Sequence, residues 1–202
     1  METGKRRPTG RPRAFDPDAA LERALLVFWE HGYEGASLAG LTEAMGISTT
    51  SMYATFGNKE ELFRKALERY TEGPSAYVVD ALEMPTALEV TTALIAGTIE
   101  TTTRPAGPHG CLGVQGALVT GDSGRGAREL LVGWRDDGYT TLRDRFERAV
   151  DDGDLPPEAD PSVLARFVTA LAYGIAVQAA SGVAREELQE MADAALRSWP
   201  LS

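Results

Sequence analysis

The sequence predicts an all-α chain of about nine helices, with a small N-terminal unit of short helices followed by a larger helical part. Three observations carry this reading. Apolar residues recur at helical spacing almost throughout, and no run alternates as a half-buried strand would. Capping residues, prolines and glycines fall where helices must begin and end. The 202 residues are 43% hydrophobic and 25% charged, an ordinary globular balance with room for one good core or a small module beside a medium one.

Residues 1–15 are rich in Gly, Pro and Arg and read as a flexible basic arm. Asp16 then caps a first helix with Pro17 in its first position. Gly32 supplies the stop, and Leu21, Ala24, Leu25 and Phe28 form one apolar stripe between them. Ser37 caps a short second helix whose Leu38, Leu41 and Met45 turn inward, ending at Gly46. Ser48 caps a third, flanked by Ile47 and Met52 at staple positions, with Met52 and Phe56 inward at i, i+4 and Gly57 as terminator. Asn58 and Glu61 form a capping box for a fourth helix carrying Leu62, Phe63, Ala66, Leu67 and Tyr70.

Beyond Gly73-Pro74 the predicted helices are 75–83, 86–103, 111–120, 125–152, 161–181 and 184–198, punctuated by Pro85, Pro105, Pro108, Gly153 and a Pro-rich stretch up to Pro161. The last carries Leu188, Met191, Ala192, Ala195 and Trp199 on one stripe. Phe167 to Ala184 is uncharged and near spanning length, but two glycines and scattered polar residues favour a buried helix over a membrane span. With no apolar stretch behind Met1 to form a secretory signal, the expectation is a soluble cytoplasmic protein without a membrane partner.

The net charge is −10, but it is unevenly placed. Residues 1–70 hold ten Lys+Arg against ten Asp+Glu, whereas 71–202 hold ten Arg against twenty acids and account for the whole excess. Five bases lie within the first thirteen residues. One end is suited to meet an anion and the other to repel it.

Two short helices joined by a tight Gly-containing turn, after a longer helix, make a helix-turn-helix. Residues 37–45 brace across a duplex backbone while 48–56 present a face to the major groove. With Met52 and Phe56 inward, the outward side carries Thr49, Thr50, Tyr53 and Ala54, with Ser51 beside them. A small hydroxylated surface can approach base edges closely, a threonine methyl touching thymine and its hydroxyl bonding an edge. Ser37 and Ser48 are caps first, and phosphate contacts where their helix starts abut the backbone. Lys59, a cation in a first helical turn, opposes the macrodipole and is better explained by a nearby phosphate. Arg11 and Arg13, on an extended segment, suit a minor groove; a solvated tail is the alternative.

The stretch Phe28-Trp-Glu-His-Gly-Tyr-Glu-Gly-Ala-Ser-Leu38, with Gly46-Ile-Ser-Thr-Thr-Ser-Met-Tyr-Ala-Thr-Phe-Gly-Asn-Lys-Glu-Glu-Leu62, resembles the TetR-like family of bacterial transcriptional regulators over about residues 14–68. Gly110-Cys-Leu-Gly-Val-Gln-Gly-Ala-Leu118 is more weakly similar to one branch. Thr42 stands where the family often has a small Ala, and the groove helix lacks Arg and Lys, so bidentate readout of guanine is absent there. The resemblance implies that Tyr53 and Lys59 contact phosphate. It also implies an intersubunit four-helix bundle, and a small molecule bound in the C-terminal part that shifts the fourth helix.

The resulting division is an arm over 1–15, a DNA-binding domain over 16–60 and a ligand-binding and dimerisation domain over 61–202. One short groove helix contacts too little DNA for useful specificity, so a homodimer on a pseudo-palindromic double-stranded operator is expected. The interface residues expected are Ala170, Gly174, Val177 and Ala180, small enough for close helix approach, with Leu188, Met191 and Trp199; the alternative is that these stripes face the monomer core. For the unknown small-molecule effector, Trp134, Tyr139, Phe146, Phe167 and Tyr173 are candidates as aromatics on the helices concerned, with ordinary core as the alternative for each. Cys111, at a predicted helix start that favours thiolate, makes a thiol-switched regulator conceivable; a small buried hydrophobe is the alternative.

One cysteine and two histidines leave no disulfide framework and no metal set, and no cofactor is expected. Gly121-Asp-Ser-Gly124 mimics a serine-protease tetrapeptide but lacks the positioned histidine and β-scaffold that such chemistry needs, so no enzyme is expected. A second reading is a small-molecule-binding or adaptor protein without useful DNA affinity, as the neutral groove helix would allow.

Overall fold

A computed structural model describes residues 15–118, 121–197 and 199. Among them are ten α-helices and one 3-10 turn, and no strand. The helices are α1 (Pro17–Gly35), α2 (Leu38–Met45), α3 (Thr49–Phe56), α4 (Lys59–Glu72), α5 (Tyr77–Leu82), α6 (Ala87–Thr102), α7 (Leu112–Gln115), α8 (Arg125–Asp151), α9 (Pro161–Ala180) and α10 (Arg185–Arg197). The predicted 111–120 helix is a single four-residue turn, because Gly113 and Gly116 in its midst lower helical propensity.

Two apolar clusters organise the fold. The first joins α1–α4 to α7 and the start of α8, centred on Phe28, Trp29, Tyr33, Phe63 and Tyr70. Phe28 and Phe63 meet edge-on at 5.0 Å between ring centres, as do Trp29 and Tyr70 at 4.7 Å. The second gathers α5, α6, α8, α9 and α10 around Ile95, Ile99, Phe146, Val168 and Leu188.

The head is fastened to the rest at the end of α1. Gly32 adopts φ 68°, ψ 178°, which breaks the helix there and lets the Tyr33 amide donate to the Gly116 carbonyl at 2.7 Å. A Cβ on Gly32 would lie 3.1 Å from that same carbonyl oxygen, so both the backbone angle and the close approach call for glycine. One turn earlier, Trp29 Nε1 donates to the Gly110 carbonyl at 3.0 Å, and the Arg104 guanidinium lies 4.5 Å from the Trp29 ring centre.

Helix α9 is long and apolar enough to cross a membrane by length and composition. Its Leu164, Ala165, Val168, Ile175 and Ala176 pack instead within the fold, while Val163, Phe167 and Val177 project outward.

Candidate nucleic-acid interface and effector cavity

The twin short helices α2 and α3 are built from caps. Ser37 Oγ accepts from the Gly40 amide at 3.0 Å and Ser48 Oγ from the Ser51 amide at 3.1 Å, so each short helix starts with a satisfied donor. Between them Gly46 sits in the left-handed region (φ 68°, ψ 31°), and the Ile47 amide closes the turn onto the Thr42 carbonyl at 3.1 Å. Arg23 of α1 donates to the Met45 carbonyl at 2.8 Å, bracing the turn from behind. Thr42 is accommodated by bonding its hydroxyl back to the Leu38 carbonyl at 2.9 Å.

Helix α3 is anchored by Met52 and Phe56, both buried. Thr49, Thr50, Tyr53 and Ala54 are exposed, Tyr53 at 47%, and Ser51 is half-buried with its hydroxyl 3.0 Å from that of Ser48. The outward face carries no formal charge. Asn58 and Glu61 form the reciprocal capping box expected at the start of α4. Lys59, first residue of that helix, is half-buried with its ammonium 4.3 Å from the centre of the Tyr33 ring. Burial lowers its pKa from the ordinary lysine value, with Glu34 pulling the other way. An aromatic ring thus supports this cation from within the head, a partner that the linear sequence did not reveal. Arg11 and Arg13 lie outside the described residues.

A second feature is a cavity of about 410 Å³ bounded by α4–α9. Of the six residues expected at an effector site, Cys111, Trp134 and Tyr173 line it. Tyr139, Phe146 and Phe167 do not. Tyr139 lies under the Arg166 guanidinium at 3.5 Å, Phe146 is fully buried in the second cluster, and Phe167 is on the outer side of α9. Tyr70, Tyr77, Ser75 and Thr98 line it without having been expected. The signal for Thr98 was available, since Thr91, Thr98 and Thr102 recur at helical spacing (i, i+7, i+11) in an otherwise apolar segment, and all three are buried.

The Tyr70 hydroxyl donates to Cys111 Sγ at 3.1 Å, and that of Tyr77 lies 3.0 Å from Thr98 Oγ1. Burial raises the pKa of Tyr77 to about 12 and that of Tyr173 above the usual phenol value. Burial likewise pushes the Cys111 thiol up, outweighing the hydrogen bond from Tyr70. This corrects the expectation of a thiolate-favouring helix start: α7 has only four residues, and desolvation dominates.

The expected interface residues divide. Ala170, Gly174, Val177 and Ala180 are exposed on α9. Leu188 and Trp199 are buried in the chain's own second cluster, Trp199 beside Phe146 at 6.1 Å between ring centres, and so are not free to meet another subunit. Met191 is half-buried against the same cluster.

A capped, twin short-helix head with an uncharged polar face, set on a helical body that encloses a cavity, defines a helix-turn-helix transcriptional regulator. Residues 20–66 match the model of bacterial regulatory proteins of the tetR family, and residues 87–194 match that of the tetracyclin repressor-like C-terminal domain. The chain belongs to the TetR family and is a DNA-binding transcriptional regulator. Among its relatives is the HTH-type transcriptional repressor ComR of Escherichia coli, 35% identical over 197 residues, covering 95% of this chain and 92% of ComR. The repressor AcnR of Corynebacterium glutamicum is 31% identical over 176 residues, 86% of each protein. A cysteine mutant of the TetR family regulator CifR, solved in complex with 26-base-pair double-strand operator DNA, superposes with a TM-score of 0.90 at 44% identity, covering 94% of this chain and all of that one.

Proposed function

We propose that the protein is a homodimeric repressor that holds a pseudo-palindromic operator with two copies of α3 and is released when a small molecule fills the α4–α9 cavity. The observation that carries this reading is the division of α3: Met52 and Phe56 are buried while Thr49, Thr50, Tyr53 and Ala54 face out, in a chain similar over most of its length to a regulator solved on its operator. In this reading Thr49, Thr50 and Ala54 meet base edges. Ser37, Ser48, Ser51, Tyr53 and Lys59 meet the backbone, and Arg11 and Arg13 follow the minor groove. Arm, head and body are residues 1–15, 16–60 and 61–202, and α9 pairs with its copy through Ala170, Gly174, Val177 and Ala180.

Release requires that the effector favour the state that does not fit the operator. A physical route supports it. Cys111 and Val114 of the α7 region border the cavity, and Gly116 just beyond accepts from Tyr33 of the head; Tyr70 of α4 borders the same cavity. Catalysis has no part in this reading, and Ser123 lends it none, its hydroxyl donating to the Glu34 carboxylate at 3.3 Å. The site of action is the cytoplasm, where the operator is.

The test is a gel shift with a pseudo-palindrome from the region upstream of the protein's own coding sequence. A specific, salt-sensitive shift that is weakened by Thr50→Ala or Lys59→Ala is the expected outcome. The neutral groove helix favours one competing reading, a binding or adaptor protein without useful DNA affinity. Absence of any specific shift, with both variants equally inert, would favour that reading over the repressor.

A further inference from the structure

The chemistry of the cavity wall restricts what can fill it. Among the described residues no Lys, Arg or His lines the cavity, and the one carboxylate that does, Asp137, is exposed to solvent. Arg135, whose charge acts on both Cys111 and Tyr173, spends its guanidinium on the Gly113 and Val114 carbonyls at 2.8 and 3.3 Å. The phenols and the thiol are held neutral by burial. An anion entering this space would lose its hydration with no cationic side chain on the wall to replace it, and a cation would meet only the solvent-exposed carboxylate of Asp137.

Nearly every polar group of the wall is already spent. The threonine hydroxyls bond backbone carbonyls or, at Thr98, also Tyr77; Tyr70 bonds Cys111; Trp134 Nε1 donates to Thr71 Oγ1 at 2.9 Å. Two hydroxyls stand apart. The hydroxyls of Ser75, whose residue is only 7% exposed, and of the half-buried Tyr173 make no hydrogen bond to another described residue, although both line the cavity. A buried hydroxyl without a partner is costly and wants one.

We infer that the effector is an uncharged, largely apolar molecule of about a dozen non-hydrogen atoms, taking roughly 30 Å³ for each water-sized group, with an oxygen function that pairs with Ser75 or Tyr173. Carboxylates, phosphates and coenzyme A thioesters are refused by the same wall. The inference rests on the cavity being the sensing site proposed above.

Three probes of one skeleton separate the charge classes: phenylpropanol, phenylpropanoate and phenylpropylammonium, with propylbenzene as the apolar reference. Titration calorimetry on the full chain is expected to give a Kd of about 1 mM or tighter for the alcohol and no measurable binding of either ion. Ser75→Ala or Tyr173→Phe is expected to weaken the alcohol about five-fold while leaving propylbenzene unchanged. Binding of the carboxylate as tight as that of the alcohol overturns the inference. So does tighter binding of the ammonium, which would assign cation recognition to Asp137, and so does failure of all four to bind. If neither hydroxyl variant alters the alcohol, the pairing with Ser75 and Tyr173 is overturned. A gel shift run in parallel separates the two readings: an alcohol that binds yet leaves the operator complex intact refutes the sensing role and leaves the ligand class standing.

Discussion

Tyr70 donates its hydroxyl hydrogen to Cys111 Sγ at 3.1 Å, joining the last turns of α4 to the start of α7 on the wall of the cavity. The bond favours thiolate, yet the thiol's pKa lies above its ordinary value, because burial disfavours the charge by more. At neutral pH Cys111 is therefore a neutral group that accepts a hydrogen bond, and its nucleophilicity is low. Iodoacetamide labelling of the native protein at pH 7, followed by intact mass, should run slower than labelling of the unfolded chain. The rate should rise about tenfold per pH unit until the thiol titrates. Tyr70→Phe, which removes the one side-chain bond that lowers the thiol's pKa, should slow it further. Native labelling as fast as in denaturant would contradict the burial argument and revive a thiol switch.

The proposed operator-facing surface assigns specificity and affinity to different residues. Thr50→Ala removes a hydroxyl and a methyl from the outward face of α3 but touches no core residue, so it should leave the melting temperature alone. It should cost roughly 1–3 kcal/mol against the preferred base while relaxing discrimination at that position. Lys59→Met should instead weaken all sequences alike and make the log–log salt dependence shallower by about 0.9. Salt titrations of the two variants on matched and scrambled operators distinguish the roles; equal effects from both on all sequences would count against base readout by α3.

Lys59 also carries a pH signature. Its folded pKa is lowered by burial, so in the free protein the charged form is disfavoured, and this residue adds stability as the pH rises through its folded value. A phosphate beside the ammonium reverses the balance by raising that pKa. Operator binding in alkaline buffer should therefore take up protons, seen in calorimetry as a dependence of the apparent enthalpy on buffer ionisation enthalpy. The dependence should vanish in Lys59→Met.

Much of this was legible in the sequence, for identifiable reasons. Asp16, Ser37, Ser48 and Asn58 act as caps because capping is local chemistry, and the inward placement of Met52 and Phe56 follows from helical period alone. What could not be read was pairing across the chain. Tyr33 beneath Lys59, Gly116 against Gly32 and Ser75 on the cavity wall all depend on contacts between distant segments. Aromatic identity misled at Phe146, since a buried Phe serves a core as readily as a pocket. Leu188 and Trp199 misled in the same way, because an apolar stripe does not say which of two neighbours it faces.

Arg145 is a stability prediction of a different kind. It is buried, and among the described residues it makes no ion pair with a carboxylate. Nε donates to the Leu82 carbonyl at 3.1 Å, and one terminal nitrogen donates to those of Met84 and Pro85 at 2.7 and 3.0 Å. These carbonyls end α5 and the turn after it, where helix geometry leaves acceptors unpaired and the dipole favours a cation. Arg145→Met would strand three acceptors near the second cluster, with an expected loss of about 2–4 kcal/mol in chemical denaturation. Arg145→Lys, a point charge without the planar fork, should recover only part. A Met variant as stable as the parent would mean that water satisfies the carbonyls equally well.

Gly174 gives the sharpest test of self-association. A Cβ at this position would meet nothing within 4 Å in the single chain, so a side chain costs the monomer no clash. Replacing a mid-helix glycine should in fact favour α9 by up to about 1 kcal/mol. The exposed face of α9 nonetheless carries large apolar groups, Val163 at 63%, Phe167 at 43% and Val177 at 45% exposure, beside exposed Ala170 and with Gln178 as a polar neighbour. A lone soluble helix gains nothing from such a face, whereas a second copy packed closely against it would bury these groups and need the glycine's slimness. Gly174→Arg should therefore keep helicity and melting behaviour at low concentration yet sediment as a monomer, and its operator affinity should collapse because one α3 reads only a half-site. Phe167→Glu should act in the same direction through desolvated charge. A Gly174→Arg protein that still sediments as a dimer would move the interface away from this face of α9.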